Sequence, residues 1–159
     1  MFARIEHTDQ IPTDATVAHL MTEIGTGRQV VLSLHDDGGG EYTVRDPWTG
    51  PAGGQEPAAV SLVHFDGPLS AARKAAGTRG FEERIKPALA QVPGHVGTIL
   101  LAGPADSFVV VAMATSLEAL EAGGVAVNST ELLPDEDPAL LTGPDRFFAH
   151  RVDKTVTRG

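Results

Sequence analysis

An α+β fold, with antiparallel sheet covered by helices on one face, is what this sequence predicts. Three observations lead there. Apolar residues alternate in short runs of strand length. Other stretches switch to the three-and-four spacing of an amphipathic helix. The order of elements also repeats approximately: residues 3–45 read strand, helix, strand, strand, and residues 59–114 read the same again. Two such units could pair their sheets around one interior, as a fused tandem repeat.

Taken in order, Phe2 to His7 alternates and ends at Thr8-Asp9, a short strand entering a turn. Thr13 and Asp14 are N-cap types. Val17, Leu20, Met21 and Ile24 then fall at i, i+3, i+4 and i+7, one helical stripe that Gly25 and Gly27 stop. Gln29 to Leu34 reads as strand. Asp36-Asp-Gly-Gly-Gly40 is a turn, and Tyr42 to Arg45 returns as strand. In this reading the hairpin 29–45 matches the later hairpin 98–112.

Residues 46–58 are rich in Pro and Gly and read as a linker or long loop. Ala59 to Phe65 is the next strand, closed by Asp66-Gly-Pro68. A short helix is expected at Ser70–Ala76, broken around Gly77–Gly80. Phe81, Ile85, Leu89 and Val92 mark another amphipathic helix, with Pro87 inside it as a source of distortion. Thr98–Ala102 and Phe108–Ala114 form a hairpin. Ser116 caps a third helix, whose length Gly123-Gly124 should limit. Residues 131–145 are acidic and Pro-rich, hence loop, and Arg146–Val156 is a final strand.

From residue 59 the order is therefore β-α-β-β-α-β, the ferredoxin-like arrangement. The expected division is a partial unit over 1–46, a linker over 47–58 and a full unit over 59–156.

Composition narrows the function. A net charge of -9 argues against nucleic acid and against an anionic membrane surface. The absence of cysteine removes thiolate catalysis and thiolate metal sites. No charged start leads into an apolar run and no stretch of about 18 apolar residues occurs. A cytoplasmic protein is expected.

Histidines are the main candidates for chemistry. His64 ends a strand in phase with Val60 and Leu62, so alternation points it inward. His7 follows Ala3 and Ile5 in the same phase, at the equivalent end of the equivalent strand. An inward histidine can act as a general base near neutral pH. His150, in phase with Phe148 and Val152, could face the same cavity or fill a repeat interface. His95 follows a turn and is expected in solvent; His19 and His35 are not promising. The six histidines show no metal-binding spacing, so no metal site is expected. Trp48 and Tyr42, the only Trp and Tyr, could wall a cavity or pin a loop. Asn128 could donate to a carbonyl ligand or form a turn. Arg73, Lys74, Arg79, Arg84 and Lys86 form the one basic region, which could attract an anion or the acidic run Asp135–Asp137.

The runs Val63-His-Phe-Asp-Gly-Pro68, Ile85-Lys-Pro-Ala-Leu89 and Val92-Pro-Gly-His-Val-Gly97 carry a family resemblance. With the hairpin Ile99-Leu-Leu…Phe108-Val-Val-Val-Ala112 and the turn into Ser116-Leu-Glu-Ala-Leu120, the region 59–155 resembles the antibiotic-biosynthesis-monooxygenase group of dimeric α+β barrels. The resemblance implies paired sheets closing an eight-stranded barrel, from a homodimer or within one chain as a self-closed pseudo-dimer. It implies a ligand cavity between a sheet and its helices. Members oxidise polycyclic phenols without metal or flavin, bind or degrade haem, or carry out isomerisation and related chemistry. The second half departs from the oxygenases in having no Trp and no Tyr. It departs from the haem-degrading members in carrying His64 where they use Asn.

Three functions follow as expectations. One is a cofactor-independent monooxygenase-like enzyme acting on a hydrophobic aromatic or polyketide-like small molecule, with His64 as base. Another is a non-catalytic small-molecule binder or accessory protein. The last is a haem-binding barrel using His64, His95 or His150.

Overall fold

A computed structural model describes residues 1–159. Eight strands form it: β1 (Phe2–Glu6), β2 (Val17–Glu23), β3 (Gln29–His35), β4 (Tyr42–Thr49), β5 (Ala59–Phe65), β6 (His95–Ala102), β7 (Phe108–Ala114) and β8 (Arg146–Thr157). They close into one barrel in the order β1-β3-β2-β8-β5-β7-β6-β4, every pair antiparallel. Each half contributes the same strand order: its fourth strand, then first, third and second. That is the ferredoxin-like sheet, and the halves meet at β2–β8 and β4–β6. Closure leaves no free sheet edge.

The halves correspond one strand differently from the sequence reading. Topology matches β3 with β7 and β4 with β8, and the expected hairpin 29–45 does not form: β3 pairs with β1 and β2, and β4 with β1 and β6. The cause is β2, where a helix was expected. Val17, Leu20, Met21 and Ile24 have helical spacing, yet 17–23 is a central strand between β3 and β8. Both its faces are buried: Met21, His19 and Glu23 on one, Ala18 on the other. A strand covered on both sides loses clean alternation, and periodicity then misleads. The first half thus has no helix. Its outer face is covered by residues 7–16, where Ala15 and Ile11 pack on Ala18, Leu20 and Val31.

All the long helices belong to the second half. α1 (Ala71–Gly80) is capped by the Ser70 hydroxyl, which accepts from the Arg73 N–H. No break occurs at Gly77–Gly80. The chain runs on through a π-turn (Phe81–Ile85) into α2 (Lys86–Leu89). Pro87 explains the widened turn: it has no N–H to give to the fourth residue back, so the preceding Lys86 N–H bonds five back, to Phe81. α3 (Leu117–Asn128) is capped by Ser116 as expected, but it passes through Gly123-Gly124. α3 packs on α2 beside Gly123, where a Cβ would meet Leu89 at 3.4 Å, an ordinary contact distance.

The acidic loop meets the basic cluster. Arg79 binds Asp135 at 2.6 Å, and Arg84 binds Glu136 at 3.0 Å and the Thr130 hydroxyl at 2.8 Å. The stretch 50–58 is a loop tied down by backbone bonds, Gly50 N–H to Val96 and Ala52 N–H to His95.

Side chains fill the middle of the barrel. Ala3, Met21, Val30, Leu32, Val60, Leu62, Ile99, Leu101, Val109 and Val111 form one cluster. Packing of this kind is usual for an eight-stranded barrel. Space remains toward both ends, one cavity beside Glu23 and His64 and another beside His19 and Thr155.

Candidate functional site

Five of the six histidines are buried: His19, His35, His64, His95 and His150. His95 is therefore not in solvent. Its ring stacks on Trp48 with centroids 5.4 Å apart, and its Nε2 lies 3.0 Å from the Thr98 hydroxyl. Lys86 Nζ sits 5.8 Å over the same indole, so Trp48 pins the end of β4 to α2. His35 Nε2 meets Ser33 at 2.9 Å on the outer face, and His19 Nδ1 meets Thr155 at 2.9 Å.

The other buried histidines, His64 and His150, share a cavity. It holds about 180 Å³ at the barrel mouth where β1, β2 and β5 end and β3 and β8 begin. His7, Glu23, Arg28, His64, Arg146 and His150 give its polar lining; Ile5, Val30, Leu62 and Phe148 give the apolar part. His7, His64 and His150, which the sequence offered for one cavity, are all among its lining, His7 from the exposed chain just after β1. Tyr42, Trp48 and Asn128 do not line this cavity. Tyr42 packs against the core from the start of β4, and Asn128 is exposed at the end of α3.

Strand parity explains the convergence. Residues 146, 148 and 150 alternate inward on β8; 62 and 64 do so on β5. His150 lies directly across from Glu23 on β2 and from Val60 on β5. Its Nδ1 is 3.2 Å from the Val60 carbonyl oxygen. A carbonyl oxygen only accepts, so Nδ1 carries the proton and Nε2 the lone pair. Burial pushes the His150 imidazole below its ordinary pKa, against the smaller opposing pull of the Val60 bond and Glu23.

His64 is held differently. Its Nδ1 lies 3.4 Å from Arg146 Nη2, and a guanidinium only donates. Its neutral form therefore carries the proton on Nε2. The ring also meets Phe148 edge-on at 5.7 Å. Burial lowers its pKa, and the Arg146 charge lowers it further.

The two guanidinium groups have carboxylate partners. Arg146 binds Asp66 through Nη2 at 2.6 Å and Nε at 3.1 Å. Arg28 binds Glu23 at 3.3 Å, and the Thr26 hydroxyl donates to the same carboxylate. The Thr26 bond is the main reason the Glu23 carboxyl stays below its usual range, with Arg28 adding to it.

Sequence reading passed over Glu23, Arg28 and Arg146. The helical interpretation of 17–24 hid Glu23. Arg146 had a usable signal, since it continues the alternation of Phe148 and His150.

No protein-family model matches this chain, and no curated protein matches it by sequence. Solved structures do match. One is an anthrone oxidase-like protein, 15% identical with TM-score 0.58, over 92% of this chain and 80% of that one. Another is LmHde, a heme-degrading enzyme from Listeria monocytogenes, 11% identical with TM-score 0.56, over 94% and 97%. A third is an uncharacterized ferredoxin fold protein related to antibiotic biosynthesis monooxygenases, from Listeria monocytogenes 4b F2365. It is 10% identical with TM-score 0.61, over 96% and 94%. At these identities what is shared is the fold.

Proposed function

We propose that this chain, which has the ferredoxin-like α+β barrel fold of antibiotic-biosynthesis-monooxygenase-related proteins, is a cofactor-independent monooxygenase-like enzyme for a hydrophobic aromatic compound. The observation that carries the reading is the pairing of two buried histidines, each with its pKa lowered by burial, at one partly apolar cavity. The substrate would be a compound with an activated CH2 beside an aromatic ketone or phenol. A mouth histidine takes a proton from that carbon. The resulting enolate is oxidised by dioxygen: CH2 and O2 become C=O and H2O. Ile5, Val30, Leu62 and Phe148 supply the apolar contact, and Arg146 lends positive charge where the enolate oxygen develops. The cavity is smaller than the ~300–1,000 Å³ of drug-sized sites, so the substrate is compact or leaves part of itself outside.

Haem is handled by one of the similar structures. The mouth does not suit it: about 180 Å³ cannot enclose a porphyrin, even though His150 Nε2 offers a lone pair.

Oxygen uptake with anthrone as probe tests the proposal. One O2 consumed per anthrone, with anthraquinone formed, is the expected result. The rate should fall sharply in His64→Ala with the barrel still folded. Tight anthrone binding without uptake would sink the enzyme and favour the non-catalytic binder.

A further inference from the structure

The two histidines at the mouth are fixed in opposite tautomers. We infer that the cavity is a paired acceptor and donor for enolisation, with His150 Nε2 as the base and His64 Nε2–H as the hydrogen-bond donor to a carbonyl oxygen. This rests on the reading of the mouth as a small-molecule site. It deepens that reading by assigning a separate role to each histidine and by narrowing the substrate to a compact ketone with an acidic α C–H, and it needs no oxygen.

The geometry follows from the partners. His150 Nδ1–H is consumed by the Val60 carbonyl, whose oxygen can accept and never donate. Its Nε2 has no partner in the protein, and the one fully enclosed unpartnered side-chain atom is Glu136 Oε2, elsewhere. His64 Nδ1 receives from Arg146. One ring therefore offers a lone pair and the other an N–H to the same space. Both rings are kept neutral by burial. Glu23 stands across from His150 on β2, and Asp66 anchors Arg146 beside His64. The remaining charged or titratable groups around the space are His7 and Arg28.

The step balances without a co-reactant. The α C–H bond breaks and its proton goes to His150 Nε2. The C–H electron pair becomes the new C=C bond, and the carbonyl π pair moves to oxygen. That oxygen keeps the hydrogen bond from His64 Nε2–H without taking the proton. Return of the proton from His150 to carbon restores the ketone, and in D2O it returns as deuterium.

The first test is the tautomer state itself. Long-range proton–nitrogen NMR at neutral pH should show His150 protonated on Nδ1 and His64 on Nε2. The same tautomer in both rings overturns the inference. The second test is deuterium exchange into 2-indanone, under nitrogen in D2O. Wild type should accelerate exchange over buffer, and His150→Gln should lose about a hundredfold of that acceleration. His64→Gln, which keeps an N–H donor, should retain more activity than His64→Phe. No acceleration by wild type, or full activity in His150→Gln, overturns the assignment. Exchange without oxygen uptake would support this inference and remove the oxygenase; uptake from anthrone that survives His150→Gln would do the reverse.

Discussion

Arg146 serves two neighbours with one guanidinium: Nη2 lies 2.6 Å from Asp66 Oδ1 and 3.4 Å from His64 Nδ1. The carboxylate holds the arginine in place, and the arginine faces the imidazole. Burial is the larger cause of the lowered His64 pKa and Arg146 the next. Replacing Arg146 with Met should therefore raise the His64 titration midpoint, read by proton NMR, while Asp66→Asn should lower it. An unchanged midpoint in Arg146→Met would mean that burial alone sets it.

Acid should unfold the barrel in two stages. Burial lowers the pKa of His19, His64, His95 and His150. The unfolded chain then binds more protons than the folded one below about 6.5. Their contribution is complete above that value and is lost as pH falls toward and through the lowered values. Glu23, Asp66, Asp135 and Glu136 are held down by bonds from Thr26, Arg146, Arg79 and the Leu133 N–H respectively. Their contribution is present above the ordinary carboxylate range and fades below it. Tm should be flat above pH 7, drop by several degrees toward pH 5.5 and drop again below pH 4. A Tm that is flat down to pH 5 would contradict the histidine stage.

The acidic loop should come loose when Arg84 is cut back. Arg84 and Glu136 are 13% and 3% exposed, and Glu136 also accepts the Leu133 N–H. Arg84→Met leaves that carboxylate without its cation. We expect a Tm several degrees lower and faster proteolysis within residues 131–137. Proteolysis at the wild-type rate would show the loop is held by other contacts.

Gly40 is expected to tolerate no side chain. The link between β3 and β4 passes so close to β1 here that a Cβ would lie 2.5 Å from the Ala3 carbonyl oxygen and 2.7 Å from its nitrogen. Gly40→Ala should cost about 1–3 kcal/mol in urea unfolding. Gly124→Ala, which meets nothing within 4 Å, is the control and should be neutral or better.

A single chain should be the unit in solution. The family resemblance implied closure either by two copies or within one chain, and here β2–β8 and β4–β6 close the barrel internally. Light scattering should give 16.6 kDa. A fragment spanning 59–156 loses the partners of β6 and β8 and should associate; a soluble monomeric fragment would show that the second unit folds independently.

Much of this was legible locally. Two-residue alternation placed His64 inward and left His150 between the cavity and a repeat interface, because one side of β5 and β8 lines the interior. Ser116 announced α3 through its cap, and the basic cluster met the acidic loop as charge complementarity suggested. The reading failed where burial came from both sides. β2 lies between two strands with its faces under the interior and under residues 7–16, so its apolar spacing imitated a helix. His95 was misplaced for a related reason: its shelter is Trp48, far away in sequence.

The sequence by itself determined the strands of the second half, the α+β class and the inward phase of His64, since these depend on periodicity and caps within a few residues. Only the tertiary structure decided that the first half is all strand, that the barrel closes within the chain, and which nitrogen of each histidine carries the proton. Those outcomes depend on partners separated by tens of residues, Val60 for His150 and Arg146 for His64, and no local pattern encodes a partner's distance.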